Sequence, residues 1–114
     1  MSSESDEQIG FVTWWRLKYP TILLFHIPNG SWRNPVTATR LKKEGVVAGI
    51  PDLFCPKHLL WIEMKNVNGG KVSEEQFAMI DYLRRIGHTV MIANGATDAS
   101  RQVLDFMKVM ENEV

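Results

Sequence analysis

Apolar positions along this chain recur with two periods, and the switches between them set out an order of elements. From Ser3 or Ser5, either of which can cap a helix, the set Ile9, Phe11, Val12 and Trp15 has the three-and-four spacing of a buried helical face that ends before Pro20. Thr21 to Ile27 is apolar and reads as a strand, leading into the turn-rich segment His26-Ile27-Pro28-Asn29-Gly30. Asn34-Pro35 has the form of an N-cap and first helical residue and predicts a helix to about Glu44, with Gly45 as its stop. Two short apolar runs, Ile50 to Cys55 and Leu59 to Met64, flank the polar pair Lys57-His58 and predict a hairpin. Ser73-Glu74-Glu75-Gln76 fits a capping box, opening a helix that carries Phe77, Ile80, Leu83 and Arg84 and stops at Gly87. His88 to Ala93 is a further buried strand, and the helix before it lets it pair in parallel with the strand carrying Glu63. Asn94 to Asp98 is a turn and cap, and Val103, Leu104, Phe106, Met107 and Met110 mark a closing amphipathic helix from Ala99 to Met110. The order helix, strand, helix, strand, strand, helix, strand, helix predicts an α/β fold, a mixed sheet flanked by helices.

The hairpin carries chemistry. With its turn centred between Lys57 and His58, antiparallel register sets Asp52 opposite Glu63, and period-two alternation puts Lys65 on the face of Glu63. Cross-strand Cβ atoms lie roughly 4.5–5.5 Å apart, so the two carboxylates repel unless a cation or a shared proton relieves them. Lys65 can do this as a plain salt bridge on a solvated face. A divalent metal can do it too: Mg²⁺ is typically held by one or two carboxylates with water and substrate phosphate. Gly45, Gly49 and Pro51 stand just before Asp52, as for a backbone bent to aim that side chain.

Composition narrows the setting. A chain of 114 residues predicts one domain, residues 1–114. Thirteen acids balance thirteen bases, so net charge does not announce a nucleic-acid binder. The basic residues Arg33, Arg40, Lys42 and Lys43 do gather before the hairpin, Arg40 and Lys43 on one helical face, where they suit phosphate contact or simply a solvated surface. The single cysteine, Cys55, sits within an apolar strand and reads as core, so neither an internal disulfide nor a zinc cluster is expected. The absence of a long apolar run and the acidic, polar start predict no membrane span or signal peptide, and an intracellular, cytoplasmic protein. Four tryptophans in so short a chain leave open an exposed apolar patch and a homodimer.

Pro51-Asp52, a ten-residue gap and then Glu63-x-Lys65 resemble the signature of the PD-(D/E)XK nuclease superfamily. Around it, His26-Ile27-Pro28-Asn29-Gly30, Gly45-x-x-x-Gly49-x-Pro51-Asp52-Leu53 and Ser73-x-x-Gln76 look like the VRR-NUC (virus-type replication-repair nuclease) branch, a likeness spanning roughly residues 4 to 95. The resemblance implies a restriction-endonuclease-like core and a Mg²⁺- or Mn²⁺-dependent, structure-specific DNA endonuclease. Asp52, Glu63 and a first-helix glutamate would bind the metal with the Met64 carbonyl, and Lys65 would position or activate the attacking water. For the first-helix acid, extending the stripe of Ile9, Phe11, Val12 and Trp15 backwards in steps of three and four gives Gln8 and then Glu4, while Glu7 lies on a stripe with Phe11 and Trp14; Glu4 is favoured, with Glu7 the alternative. Gln76 is expected near the catalytic face as well as in its cap. His26, Asn29, Arg33, Arg40, Lys43 and Lys71 are expected on the DNA side, with Trp32 beside Arg33 able to stack on bases. With no separate base-reading module, recognition should be by shape and backbone. Likeness to stand-alone viral-type members, of phage character, implies a homodimer resolving branched DNA such as a four-way (Holliday) junction. Flap or nicking activity on the same core, or a catalytically silent DNA-binding subunit, are the alternatives, and no Gly-rich nucleotide loop or nucleophile elbow supports a small-molecule enzyme.

Overall fold

The computed structural model describes residues 2–28 and 35–112. Its helices and strands follow in the order α1 (Glu4–Lys18), β1 (Phe25–His26), α2 (Pro35–Lys43), β2 (Leu53–Cys55), β3 (Leu60–Lys65), α3 (Glu74–Arg85), β4 (Thr89–Asn94) and α4 (Ala96–Asn112). The strands form one sheet in the order β1-β2-β3-β4, antiparallel from β1 to β3 and parallel between β3 and β4. The mixed α/β architecture agrees with the pattern of the sequence.

Alternation along β3 divides the molecule. Leu60, Ile62 and Met64 face α1 and α4, where they meet Phe11, Trp15, Ala99, Val103 and Met107 in the main core with Leu53 and Cys55. The opposite face carries Trp61, Glu63 and Lys65; there α3 lays Ile80 and Leu83 against Val90 of β4. Burial of the Cys55 thiol pushes its pKa up, as befits a core residue.

Ser3 caps α1 in a capping box: the Asp6 N–H donates to Ser3 Oγ at 3.0 Å and the Ser3 N–H to Asp6 Oδ2 at 3.2 Å. The buried face of α1 differs from the expected one. Phe11 and Trp15 are fully enclosed, whereas Ile9 is 62% exposed. Two large rings, spaced i and i+4, outweigh one aliphatic chain in the area they remove from water, and the Trp15 Nε1–H finds the Ile22 carbonyl at 2.8 Å, so its polar edge is also satisfied. That same bond draws the chain after Pro20 into a turn, so only Phe25 and His26 of the expected strand over Thr21 to Ile27 join the sheet.

Helix α2 ends in a Schellman closure, with Val46 N–H on the Leu41 carbonyl and Gly45 N–H on the Lys42 carbonyl, both at 3.0 Å, and Gly45 at φ +102°. Its expected cap, Asn34, lies outside the described residues. The hairpin turn is a short 3-10 segment, Pro56–His58, closed by Leu59 in the left-handed region at φ 48°, so Leu59 belongs to the turn and not to the strand. Helix α4 starts earlier than expected, at Ala96, because Glu7 of α1 accepts the Ala96 N–H at 2.9 Å. Among the described residues no helix is long and apolar enough to cross a membrane.

Candidate active site

The register of the hairpin places the acids. Leu53 pairs with Ile62 and Cys55 with Leu60, so the next step outward sets Asp52 across from Glu63. The Asp52 carbonyl points away, toward β1, where it accepts the Ile27 N–H at 2.9 Å. Main-chain groups alternate direction along a strand, so Pro51 faces β3 and would exchange ladder bonds with Met64. Proline has no N–H, and the Met64 carbonyl is left without its ladder donor. The Met64 N–H turns instead to the Asp52 side chain, donating to Oδ2 at 2.8 Å. Termination of the ladder by one proline thus fixes the carboxylate and turns a main-chain oxygen toward it.

Glu63 and Lys65, only 3% and 6% exposed, sit side by side on the face toward α3. The Lys65 ammonium donates to Glu63 Oε2 at 3.2 Å, Gln76 Oε1 at 3.1 Å and the Lys71 carbonyl at 3.1 Å, which uses all of its hydrogens. Gln76 closes the ring by donating from Nε2 to Glu63 Oε2 at 2.8 Å. It does so while serving as the third residue of the α3 capping box, its backbone N–H on Ser73 Oγ at 3.1 Å and its Oε1 accepting the Ser73 N–H at 3.0 Å. Cap and site are one set of bonds. Burial, then the neighbouring Asp52 charge, push the Glu63 carboxyl up to about 7, against the opposing pull of Lys65.

Two glycines hold this geometry in ways that spacing alone did not indicate. A Cβ on Gly49 would stand 2.4 Å from the Glu75 carbonyl oxygen and 2.8 Å from Gln76 N, so the loop before Asp52 touches the first turn of α3 directly. A Cβ on Gly70 would stand 3.1 Å from Lys65 Cδ, so the loop after β3 lies on the lysine stem. The sequence marks both as glycines near the acids, but the contacts depend on α3 and on the side-chain path of Lys65.

Of the residues singled out in the sequence, Asp52, Glu63, Met64, Lys65 and Gln76 come together. His26 joins them through the main chain, its Nδ1 lying 2.8 Å from the Asp52 carbonyl. Lys71 contributes its carbonyl, while its side chain is exposed beside a cleft of about 470 Å³ that Val72, Ser73, Glu74 and Glu75 also line. Glu4 is exposed in the first turn of α1, although the stripe that favoured it runs on into the buried Trp15 and the partly buried Val12; Glu7, four residues before Phe11, is the half-buried acid of α1. Arg40 and Lys43 do share a face, lining a shallow cleft of about 400 Å³ with Pro35, Val36 and Thr39, and Arg40 pairs with Glu44 at 3.4 Å. Asn29, Trp32 and Arg33 lie outside the described residues.

Asp52 Oδ2 and Glu63 Oε2 are tied to protein donors, whereas neither Asp52 Oδ1 nor Glu63 Oε1 receives an N–H or ammonium donor among the described residues. Carboxylate oxygens of Asp52 and Glu63, the latter raised in pKa by burial and then by the Asp52 charge, and a main-chain carbonyl without a ladder partner are hard oxygen donors that suit Mg²⁺ or Mn²⁺. No group of three or more acidic, histidine or cysteine side chains converges among the described residues, so the protein's share of such a site is the Asp52–Glu63 pair.

Neither a family model nor a curated protein matches the sequence. Among solved structures, one titled "VRR_NUC domain protein" superposes with a TM-score of 0.74 at 21% identity, covering 95% of this chain and 90% of the other. The chain has the fold of that VRR_NUC domain protein.

Proposed function

We propose that this chain is a VRR-NUC-type nuclease, a single domain that hydrolyses phosphodiester bonds of DNA with the help of Mg²⁺ or Mn²⁺. The observation that carries the reading is the buried ring of Glu63, Lys65 and Gln76 beside Asp52, with the paired acids aimed across the end of the hairpin. A structural salt bridge needs only one acid; a second carboxylate beside it raises the energy of both and gains its use when a cation arrives. The fold shared with a VRR_NUC domain protein supports the same reading.

Asp52, Glu63 and the Met64 carbonyl would hold the ion. When bound, the ion supplies Lewis-acid polarisation of the phosphate and makes water a stronger nucleophile at neutral pH. Lys65 orients the attacking water and steadies charge developing on the phosphate oxygens. Gln76 keeps the Lys65 ammonium and the Glu63 carboxylate in one geometry. Exposed Arg40, Lys43 and Lys71, with Asn29 and Arg33, contact the phosphate backbone, so that shape and not base sequence is read. A homodimer acting on two strands suits a branched, two-fold substrate such as a four-way junction.

The test incubates wild type and Lys65→Ala with labelled four-way junction, flap, single-stranded and linear duplex DNA in Mg²⁺, Mn²⁺ or EDTA. Metal-dependent, symmetric junction cleavage that falls at least about 100-fold in the variant is expected. Cleavage of flap or nicked DNA alone would replace the junction assignment. Tight junction binding without cutting in either metal would identify a silent binding subunit, and equal cleavage by both proteins would remove Lys65 from the mechanism.

A further inference from the structure

We infer that His26 is a positioning residue that acts on Asp52 through the main chain, in the Nδ1–H tautomer, and not a group that grips the DNA. Its activity arm rests on the nuclease reading. The Asp52 carbonyl is an acceptor only, so the imidazole nitrogen 2.8 Å away must be the donor, which leaves Nε2 without a hydrogen in the neutral ring. The same oxygen also receives the Ile27 N–H at 2.9 Å. Both lone pairs of one carbonyl are therefore occupied by consecutive residues of the β1 edge.

The arrangement answers a mechanical need. Strand β2 begins only at Leu53, Pro51 has no N–H to donate to β3, and the Met64 N–H is taken by the Asp52 carboxylate, so Asp52 stands where the ladder has ended on one side. An acid there would swing with its peptide. Three bonds replace the missing ladder: His26 and Ile27 on the carbonyl, and Met64 N–H on the carboxylate at 2.8 Å. Since β1 is two residues long and both are exposed, it adds little packing to hold this register. The His26 side chain supplies the second tie that β1 itself lacks.

The test uses three variants and one spectrum. An asparagine can place its amide Nδ2–H near the position of histidine Nδ1–H, while a glutamine reaches toward Nε2. Histidine 26→Ala (His26→Ala) and His26→Gln should lose about 10- to 100-fold in cleavage, with a higher metal concentration needed for half-maximal rate, and His26→Asn should recover most of that loss. A purely structural role would lower the melting temperature of all three without the metal-concentration shift or the asparagine rescue. Rescue by glutamine and not asparagine, or three variants equal to wild type, would overturn the inference. Independently of any cleavage, long-range ¹H–¹⁵N correlation spectra of the wild type at neutral pH should show His26 protonated on Nδ1. An Nε2–H ring there overturns the inference even if the enzyme cuts DNA, whereas an Nδ1–H ring in a protein that cuts nothing upholds the His26 geometry and fails the nuclease reading alone.

Discussion

Gln76 shows how much one side chain can be asked to do. It fills a complete cap at the start of α3 and simultaneously spans Glu63 and Lys65, so both lone pairs of its amide oxygen and one amide hydrogen are committed. Gln76→Ala should therefore cost on two scales: a fall of about 10- to 100-fold in cleavage, as for partners that orient metal ligands, and a loss of about 1 kcal/mol from the broken cap. Ser73→Ala separates the two, since it removes a cap acceptor and leaves the Glu63 contact in place; thermal melts and single-turnover cleavage of both variants would show whether the activity loss belongs to Gln76 alone. The cap made by Gln76 is legible in its spacing after Ser73, whereas its contacts to Glu63 and Lys65 through the same rotamer are not. The acid of α1 was harder to place. The face expected from Ile9, Phe11, Val12 and Trp15 loses Ile9 in the structure, and which neighbouring stripe reaches the sheet depends on what α4 and β3 offer, which no local pattern contains.

At the level of elements, the hairpin was the most legible part of the chain. Its symmetry about Lys57-His58 carries over into the observed pairing, and the paired acids follow from arithmetic on strand positions. Strand β1 is shorter than expected because a run with five apolar residues in seven looks extended whether it enters a sheet or wraps beneath a tryptophan. The loop from Gly45 to Pro51 hides a contrast that can be measured. Gly45 has φ +102° with open space around its missing side chain, so Gly45→Ala should cost about 1 kcal/mol for backbone strain alone. Gly49 has φ +88° and the backbone of Glu75 and Gln76 within 3 Å of a Cβ, so Gly49→Ala should cost on the order of 3 kcal/mol and displace α3 from the acids. Urea titrations give the first comparison and cleavage rates the second; equal destabilisation by the two substitutions would mean that the loop can move away from α3 without penalty.

Across the whole molecule, the buried acid pair makes folding depend on pH. The Glu63 carboxyl lies at about 7 in the folded chain, above its ordinary value of 4.5, so between those limits the folded state holds a proton that the unfolded state has released. Its contribution is then fully favourable below the lower limit and is lost as pH rises through the upper one. Metal-free protein should melt several degrees lower near pH 8 than near pH 5, and Glu63→Gln should flatten that decline. Mn²⁺ should stabilise the wild type more near pH 8 than near pH 6, because at the lower pH the ion must first displace a proton. A metal-free melting temperature that climbs steadily from pH 5 to pH 8 would contradict the raised carboxyl. None of this coupling is visible in the composition, where acids and bases cancel; it arises from burying Glu63 under α3 beside a second carboxylate.

The threefold anchorage of Lys65 also has a kinetic side. An ammonium with every hydrogen committed cannot bond to an incoming water or phosphate oxygen until one acceptor lets go. Two of the three belong to side chains held by β3 and α3, while the third, the Lys71 carbonyl, lies on the segment that follows Gly69-Gly70. Release of that carbonyl is the least disruptive exchange, and it involves no second molecule. In a rapid-mixing experiment with enzyme in excess, the cleavage rate should accordingly level off at a ceiling set by the loop and not by the leaving group, and lengthening or stiffening residues 66–71 should move that ceiling while leaving DNA affinity where it was.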